Sequence, residues 1–129
     1  MNRLDNLCFI IAAVCHDLGH DGFNNNYHVN AITDRAIDSN DGAVQEIYHA
    51  AELFRILNEE KYNFLTTLKK DEFRVFRKRV IGLILATDMS NHMNDLNSLN
   101  AIIAENNIKN GQNVDKLLND VDGQKLFKN

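Results

Sequence analysis

The ten residues HDLGHDGFNN, at positions 16–25, decide how the fold and the chemistry of this sequence are interpreted. They follow an apolar segment, Leu7 to Val14, whose helical character is expected to end at Gly19. The imidazole of His16 and the carboxylate of Asp17 are both good ligands for zinc, manganese and similar divalent ions. A buried helix that delivers a His-Asp pair into a loop rich in glycine and asparagine therefore predicts a metal site.

The chemistry of this segment depends on where the helix ends. Neighbouring side chains on a helix diverge by about 100°, so His16 and Asp17 can face one cavity only near a helix end. A carboxylate such as Asp17 can bridge two metals, which suits metal-assisted hydrolysis. His20, about one turn later, can hold a water or orient a ligand. Taken alone, a His-Asp pair is also compatible with an ordinary surface pair or a capping aspartate.

Two more polar clusters interrupt apolar helices further along the chain. Glu46 and His49 are three residues apart and can share a helix face. Thr87 and Asp88 form the second cluster with His92, which follows Asp88 by four residues. Each cluster alone also fits a structural role, as a surface glutamate beside a partly buried histidine or as a local hydrogen-bonded pair. Their recurrence in three apolar helices favours a shared functional site.

The apolar spacing predicts an all-α chain, because the sequence contains no proline and little strict alternation. The first helix is expected to be buried on most sides, and a bend is expected near residues 87–90. Four of the predicted helices have defined bounds: Leu4–Leu18, Tyr27–Ile37, a short one at Tyr62–Leu68 and a weak one at Val114–Val121. Another is capped by Asp41 and has the apolar positions Ala43, Ile47, Ala51, Phe54 and Leu57. A long helix begins near Asp71 and has an apolar stripe of Phe73, Phe76, Val80, Leu83 and Ile84.

Composition argues against several classes of protein. The 129 residues correspond to one domain or part of one, and the net charge of −4 without a basic stripe argues against a nucleic-acid partner. The apolar segment before His16 is too short to cross a membrane and lacks the features of a signal peptide. Cys8 and Cys15 would lie about 10 Å apart on a helix, too far for a disulfide, and are interpreted as reduced thiols of a cytoplasmic protein. His28 has no evident partner and is expected to be exposed.

Three segments together resemble one known family. AAVCHDLGHDGFNN, residues 12–25, is similar to the signature of the class I cyclic nucleotide phosphodiesterases, within the HD superfamily. NDGAVQEIYHAAELFRIL, residues 40–57, resembles the next helix of that family, and ILATDMSNHM, residues 84–93, resembles a third hallmark segment. The three segments are in register without gaps, and the resemblance runs from about Leu4 to Leu99.

The resemblance implies a multi-helix HD/phosphodiesterase-type fold that hydrolyses cAMP, cGMP or both to 5′-monophosphates in signal transduction. It implies two divalent metals, zinc and magnesium (or manganese), with His16 as a zinc ligand and Asp17 contacting both ions. The resemblance also gives roles to the positions around these ligands. His20, Glu46 and Thr87 match positions that hold waters of the second metal, and His49 matches a histidine that lies behind the ligands. Asn25 and Asp88 match polar neighbours of the site, and Met89 matches a residue that lines the substrate pocket.

The sequence also departs from the family pattern. Gly19 stands where many members have an acidic residue, Asp21 where proline is common, and Tyr48 in place of the first histidine of a His-His pair. A histidine motif that would precede Met1 and a metal-binding aspartate that would follow Asn129 are not in this chain. Residues 1–129 are therefore expected to be a partial catalytic domain, truncated at both ends, that is weakly active or inactive in isolation.

Two alternative functions stay open at this point. One is another HD-type phosphohydrolase, similar to the deoxynucleotide triphosphohydrolases, and the other is a non-catalytic helical remnant. The expected partner is a cyclic nucleotide substrate. A homodimer, and an association with membranes through regions outside this chain, are left open.

Overall fold

A computed structural model describes residues 3–105, apart from the side chains of Asp95, Ile102 and Glu105. Within this range the chain is helical and contains no strand, as the sequence predicts. The predicted helix at Val114–Val121 lies outside the described residues. The elements are α1 (Arg3–Cys15), α2 (Asn25–Asn30), α3 (Asp34–Ser39), α4 (Val44–Asn58), a 3₁₀ turn (Glu60–Tyr62), α5 (Lys70–Leu85), a second 3₁₀ turn (Met89–Asn91) and α6 (His92–Glu105).

Contacts among the described residues divide the chain after Asp88 into two compact units. The first contains α1 to α5, and the second begins at Met89 and contains the second 3₁₀ turn and α6. The helix is interrupted where the bend near residues 87–90 was predicted, because α5 ends at Leu85 and a new helix begins at His92.

The core of the first unit is built on the predicted apolar stripe of α5. Phe76, Val80 and Ile84 have no exposed surface, and Phe73 and Leu83 pack beside them. This confirms the 3.6-residue periodicity of the segment. The remaining buried apolar residues come from α1, α4 and the loop after α4: Cys8, Ala12, Ala50, Leu53, Leu57 and Leu65.

Helix α1 differs from the prediction in length and burial. It ends at Cys15 rather than Leu18, because the chain turns there through a hydrogen bond from the Leu18 amide to the Cys15 carbonyl. The prediction that α1 is buried on most sides is wrong. Only one face packs against α5, while Phe9, Ile10 and Val14 are 46%, 60% and 74% exposed.

The predicted helix Tyr27–Ile37 is two helices, α2 and α3. The break lies at Ile32, whose φ of +50° is incompatible with a right-handed helix. Thr33 then caps α3, since its hydroxyl accepts a hydrogen bond from the Ala36 amide. A β-branched residue in the left-handed region is rare, so the apolar spacing of this segment gave no warning of the break.

Two details around α4 also differ from the prediction. Asp41 does not cap this helix: it has a φ of +63°, and Ala43 occupies the cap position without a side-chain hydrogen bond. Tyr62–Leu68 is not an α-helix, because the 3₁₀ turn ends at Tyr62. Helix α4 itself forms, but the residues that it buries include Gln45 and His49, while the predicted core residue Ile47 is 37% exposed.

Both cysteines are free, as predicted, with Cys8 buried and Cys15 partly buried. Burial raises the pKa of each thiol above its usual value, which keeps both protonated at neutral pH. None of the helices between residues 3 and 105 combines the length and the apolar character needed to span a bilayer.

Candidate metal centre

The end of α1 positions the His-Asp pair. His16 and Asp17 follow the last residue of the helix, in a turn where the His20 amide bonds to the Asp17 carbonyl at 3.1 Å. Gly19 completes this turn with a φ of +73°, a conformation that glycine adopts at no steric cost. Because the backbone leaves the helix here, both side chains can approach the same space.

The carboxylate of Asp17 lies between two histidines. Its Oδ2 is 3.2 Å from Nε2 of His16, and its Oδ1 is 3.9 Å from Nε2 of His49. Each oxygen therefore faces a different imidazole. This is the arrangement in which one carboxylate can serve two cations.

His20 completes the group. Ligand-capable atoms of Asp17, His20 and His49 all lie within 4.8 Å of one another. The rings of His20 and His49 are stacked, with centroids 5.6 Å apart. His49 comes from α4 and is only 1% exposed, whereas Asp17 and His20 are exposed. The group thus has one buried wall and an open side.

Backbone hydrogen bonds set the proton positions on these imidazoles. Nδ1 of His16 lies 2.9 Å from the Ala13 carbonyl, and Nδ1 of His49 lies 2.7 Å from the Leu18 carbonyl. Since a carbonyl oxygen only accepts, both Nδ1 atoms donate, and in the neutral ring Nε2 offers a lone pair.

His20 has the opposite arrangement. Its Nδ1 accepts a hydrogen bond from the Gly22 amide at 2.9 Å, so in the neutral ring the proton is on Nε2. His16 and His49 therefore present a lone pair to the centre, while His20 presents a donor. A donor at this position suits a water or a phosphate oxygen better than a cation.

The spacing of His16 and Asp17 fits a bound cation. Nε2 of His16 and Oδ2 of Asp17 are 3.2 Å apart, a separation that either a proton on Nε2 or a metal ion bound to both atoms accounts for, because each removes the repulsion between two lone pairs. Two ligands about 2.0–2.1 Å from a tetrahedral zinc ion are roughly 3.3 Å apart, close to the observed separation. The residues present thus match the donor set and the spacing of one edge of a divalent metal site.

Glu46 and Asn25 pair with each other at the start of α4. Nδ2 of Asn25 donates to Oε2 of Glu46 at 2.9 Å, and Oδ1 of Asn25 accepts from the Gln45 amide at 2.9 Å. Asn25 thereby joins the loop that follows the His-Asp pair to the helix that carries His49.

Thr87 and Asp88 of the third predicted cluster follow the end of α5. The Thr87 hydroxyl donates to the Ile84 carbonyl at 2.7 Å, at the end of α5. Asp88 ends the first unit and Met89 begins the second. Among the histidines, cysteines and carboxylates of residues 3–105, the group close enough to hold a metal ion is Asp17, His20 and His49, which does not include Asp88. The roles of Thr87, Asp88 and Met89 stay predictions.

A polar network behind the centre was missed at the sequence level. His28, expected to be exposed, is only 3% exposed and contacts Thr33, Asp21 and Gln45. Gln45, also 3% exposed, donates to Oδ1 of Asp21 at 2.7 Å. A buried glutamine and a buried histidine 17 positions apart carry no local pattern that would reveal this pairing.

The network holds Asp21 as a carboxylate. Partial desolvation raises the pKa of Asp21, but hydrogen bonds from Gln45 and the Phe23 amide, and the charge of Arg35, outweigh it and lower the pKa to about 2. The ionised form of Asp21 therefore contributes to the stability of the fold.

Replacing Asp21 by asparagine is expected to lower the free energy of unfolding at pH 7 by about 1–3 kcal/mol, because Gln45 and Arg35 lose a charged acceptor. Since the folded-state pKa is depressed, this contribution is complete above the unfolded pKa of about 4 and is lost as the pH falls through about 2. Urea unfolding of both proteins from pH 7 to pH 2 measures the difference. Asp38→Asn, at an exposed site on α3, is the control, and a difference for Asp21→Asn that persists unchanged at pH 2 would contradict the assignment.

The helical fold of residues 3–105, with a carboxylate set between histidines, defines a helical protein with a candidate metal site. The family model described as 3′5′-cyclic nucleotide phosphodiesterase matches residues 1–126. The chain belongs to the 3′,5′-cyclic nucleotide phosphodiesterase family, which confirms the resemblance and implies dependence on divalent metal ions.

Individual relatives agree with this assignment. The chain is 42% identical over 97 residues to the 3′,5′-cyclic-nucleotide phosphodiesterase regA of Dictyostelium discoideum, covering 75% of this chain and 12% of that protein. It is 41% identical over 97 residues to the human high affinity cGMP-specific 3′,5′-cyclic phosphodiesterase 9A, covering 75% of this chain and 16% of that protein. The chain thus spans less than a fifth of the length of these relatives.

A solved structure agrees with the fold. The phosphodiesterase domain of the RhoPDE fusion protein from the choanoflagellate Salpingoeca rosetta superposes with a TM-score of 0.80 at 34% identity. The match covers 92% of this chain and 38% of that chain.

Proposed function

We propose that the protein containing this chain hydrolyses 3′,5′-cyclic nucleotides, cAMP, cGMP or both, to 5′-monophosphates in signal transduction, and that residues 1–129 form part of its catalytic domain. Family membership supports the reaction class. The observation that carries the proposal is the Asp17 carboxylate, whose two oxygens face Nε2 of His16 and Nε2 of His49.

Zinc and magnesium, or manganese, are the proposed ions. His16 and Asp17 would hold the zinc, and the second Asp17 oxygen would reach the other ion. Bound divalent ions supply Lewis-acid stabilisation of the charge that develops on the phosphate, together with an acidified water. Imidazole and carboxylate suit zinc, while carboxylate oxygen also suits magnesium and manganese.

The remaining residues would orient the reactants. His20, with its proton on Nε2, donates to a water or to a phosphate oxygen, and its ring is kept in place by the Gly22 amide. His49 is fixed by the Leu18 carbonyl, and its Nε2 lies 3.9 Å from Oδ1 of Asp17 on the buried side, where it would face an ion held by that oxygen. Glu46, held by Asn25, and Thr87 are proposed to hold waters of the second metal, and Asp88 and Met89 to border the substrate.

A cytoplasmic location is part of the proposal, and the free thiols of Cys8 and Cys15 support it, because reduced cysteines are typical of reducing compartments. The homodimer stays a prediction.

The test is a product assay with the gene product that contains this chain. Purified protein is incubated with cAMP, with cGMP and with deoxynucleoside triphosphates, in zinc and magnesium. The proposal predicts 5′-monophosphate from at least one cyclic nucleotide. Release of triphosphate from a deoxynucleotide without turnover of either cyclic nucleotide would favour the other HD-type enzymes. No turnover of any substrate would favour a non-catalytic remnant, and either result contradicts the proposal.

A further inference from the structure

One arginine connects the loop of the metal centre to the helices behind it. Arg35 lies on α3, and its guanidinium carbon is 3.5 Å from the centre of the Tyr48 ring. Nη2 donates to the Gly19 carbonyl at 3.2 Å, and Nη1 donates to Oε1 of Gln45 at 2.6 Å. Nη1 is also 3.3 Å from Oδ2 of Asp21. The Arg35 side chain is only 19% exposed, so these contacts are largely shielded from solvent.

The contact between Gly19 and Tyr48 is close. A Cβ at position 19 would lie 3.1 Å from Cε1 of Tyr48, and Gly19 has a φ of +73°. The Tyr48 ring therefore contacts both the Gly19 backbone and the Arg35 guanidinium. Because Tyr48 directly precedes His49 in α4, its position is tied to that of a residue in the metal centre.

The same contacts hold both sides of His20. Gly19, immediately before it, is bonded to Arg35, and Asp21, immediately after it, is bonded to Arg35 and Gln45. Gln45 also donates to the Phe23 carbonyl at 2.7 Å. The loop is thus anchored at three of the positions from 19 to 23, with His20 between two of them.

We propose that Arg35 is a positioning residue, whose guanidinium holds the 19–23 loop against Tyr48 and Gln45 so that His20 faces His49 and Asp17. This inference rests on the proposed function for its catalytic meaning. This role needs a planar group that carries several N–H donors in a fixed fork. One face of the Arg35 guanidinium stacks on the Tyr48 ring, while the N–H groups at its edge donate hydrogen bonds to Gly19 and Gln45. Lysine can replace the charge beside Asp21 but cannot provide the stacking and the fork together.

The test compares Arg35→Met and Arg35→Lys in the gene product that contains this chain. Hydrogen exchange of peptides covering residues 17–24 reports the loop, and calorimetric titration with Mn²⁺ reports the centre. We expect both variants to exchange about 10-fold faster in the loop and to bind Mn²⁺ about 10-fold more weakly, the lower end of effects seen for residues that orient ligands. Arg55→Met, which removes an exposed arginine of α4, and Tyr48→Phe, which keeps the stacking ring, should behave as wild type.

Three outcomes would overturn the proposal. If Arg35→Lys showed the hydrogen exchange and the Mn²⁺ affinity of the wild type, a positive charge at position 35 would be enough to position the loop. If Arg35→Met and Arg55→Met showed the same loop exchange and the same Mn²⁺ affinity, the contacts of Arg35 would not hold the 19–23 loop in place. Equal acceleration in peptides from α5 would mean a global loss of stability. None of these readouts measures nucleotide hydrolysis, so failure of the positioning role and failure of the proposed reaction are separately visible.

Discussion

Replacing Asp17 by alanine is expected to lower cyclic nucleotide hydrolysis by the gene product containing this chain by roughly 10³-fold or more. A metal ion supplies several kcal/mol of transition-state stabilisation, and each step of about 1.4 kcal/mol is tenfold in rate. Asp17 is the residue whose two oxygens face His16 and His49, so its removal affects both proposed ions. Initial rates at saturating substrate, with bound metal measured on the same samples, give the effect.

The matched control is Asp38→Ala, which removes an exposed carboxylate from α3 and should leave the rate and the metal content unchanged. His16→Ala should fall close to Asp17→Ala, because the two residues form one edge of the proposed site. Full activity in both His16→Ala and Asp17→Ala would show that the reaction does not use this centre.

Replacing Phe76 by alanine is expected to lower the free energy of unfolding by about 3–5 kcal/mol, through lost burial and the cavity that is left. Phe76 has no exposed surface and lies against Phe54 and Phe73, with ring centroids 6.5 and 6.4 Å away. Because small domains are stable by about 5–15 kcal/mol, much of the net stability would be lost. Urea unfolding monitored by circular dichroism measures the change.

Phe64→Ala makes the same chemical change at a side chain that is 54% exposed, outside the core. Its cost is expected to stay below about 1 kcal/mol, as for surface substitutions in general. Similar costs for the two variants would show that α5 does not form the centre of the core.

The sequence was sufficient to predict the helical class and the α5 core, because both depend on periodicity. The stripe from Phe73 to Ile84 repeats at helical spacing, and the structure buries it as predicted. The division of Tyr27–Ile37 into α2 and α3 was not predictable, since it depends on a positive φ at Ile32, which local propensity disfavours. Tertiary packing overrides propensity at such positions.

The candidate site was predictable only in part. His16 and Asp17 were predictable as candidate ligands because their chemistry lies in adjacent residues at a helix end, and His49 because it shares a helix face with Glu46; their roles as ligands stay predictions. The network around Arg35 could not be predicted from the sequence, because its members come from separate segments and each has an ordinary local explanation. Gly19, Asp21 and Tyr48, the three positions noted as departures from the family pattern, all contact this one arginine.

The metal dependence of hydrolysis by the gene product that contains this chain is the decisive property of the proposed centre. The protein is treated with a chelator until no divalent metal is detected, assayed with cAMP and cGMP, and then assayed again after zinc and magnesium or manganese are restored. We expect loss of hydrolysis on removal and recovery on restoration, with no recovery in Asp17→Ala. Hydrolysis that continues at the original rate in the metal-free protein would contradict the proposed metal centre.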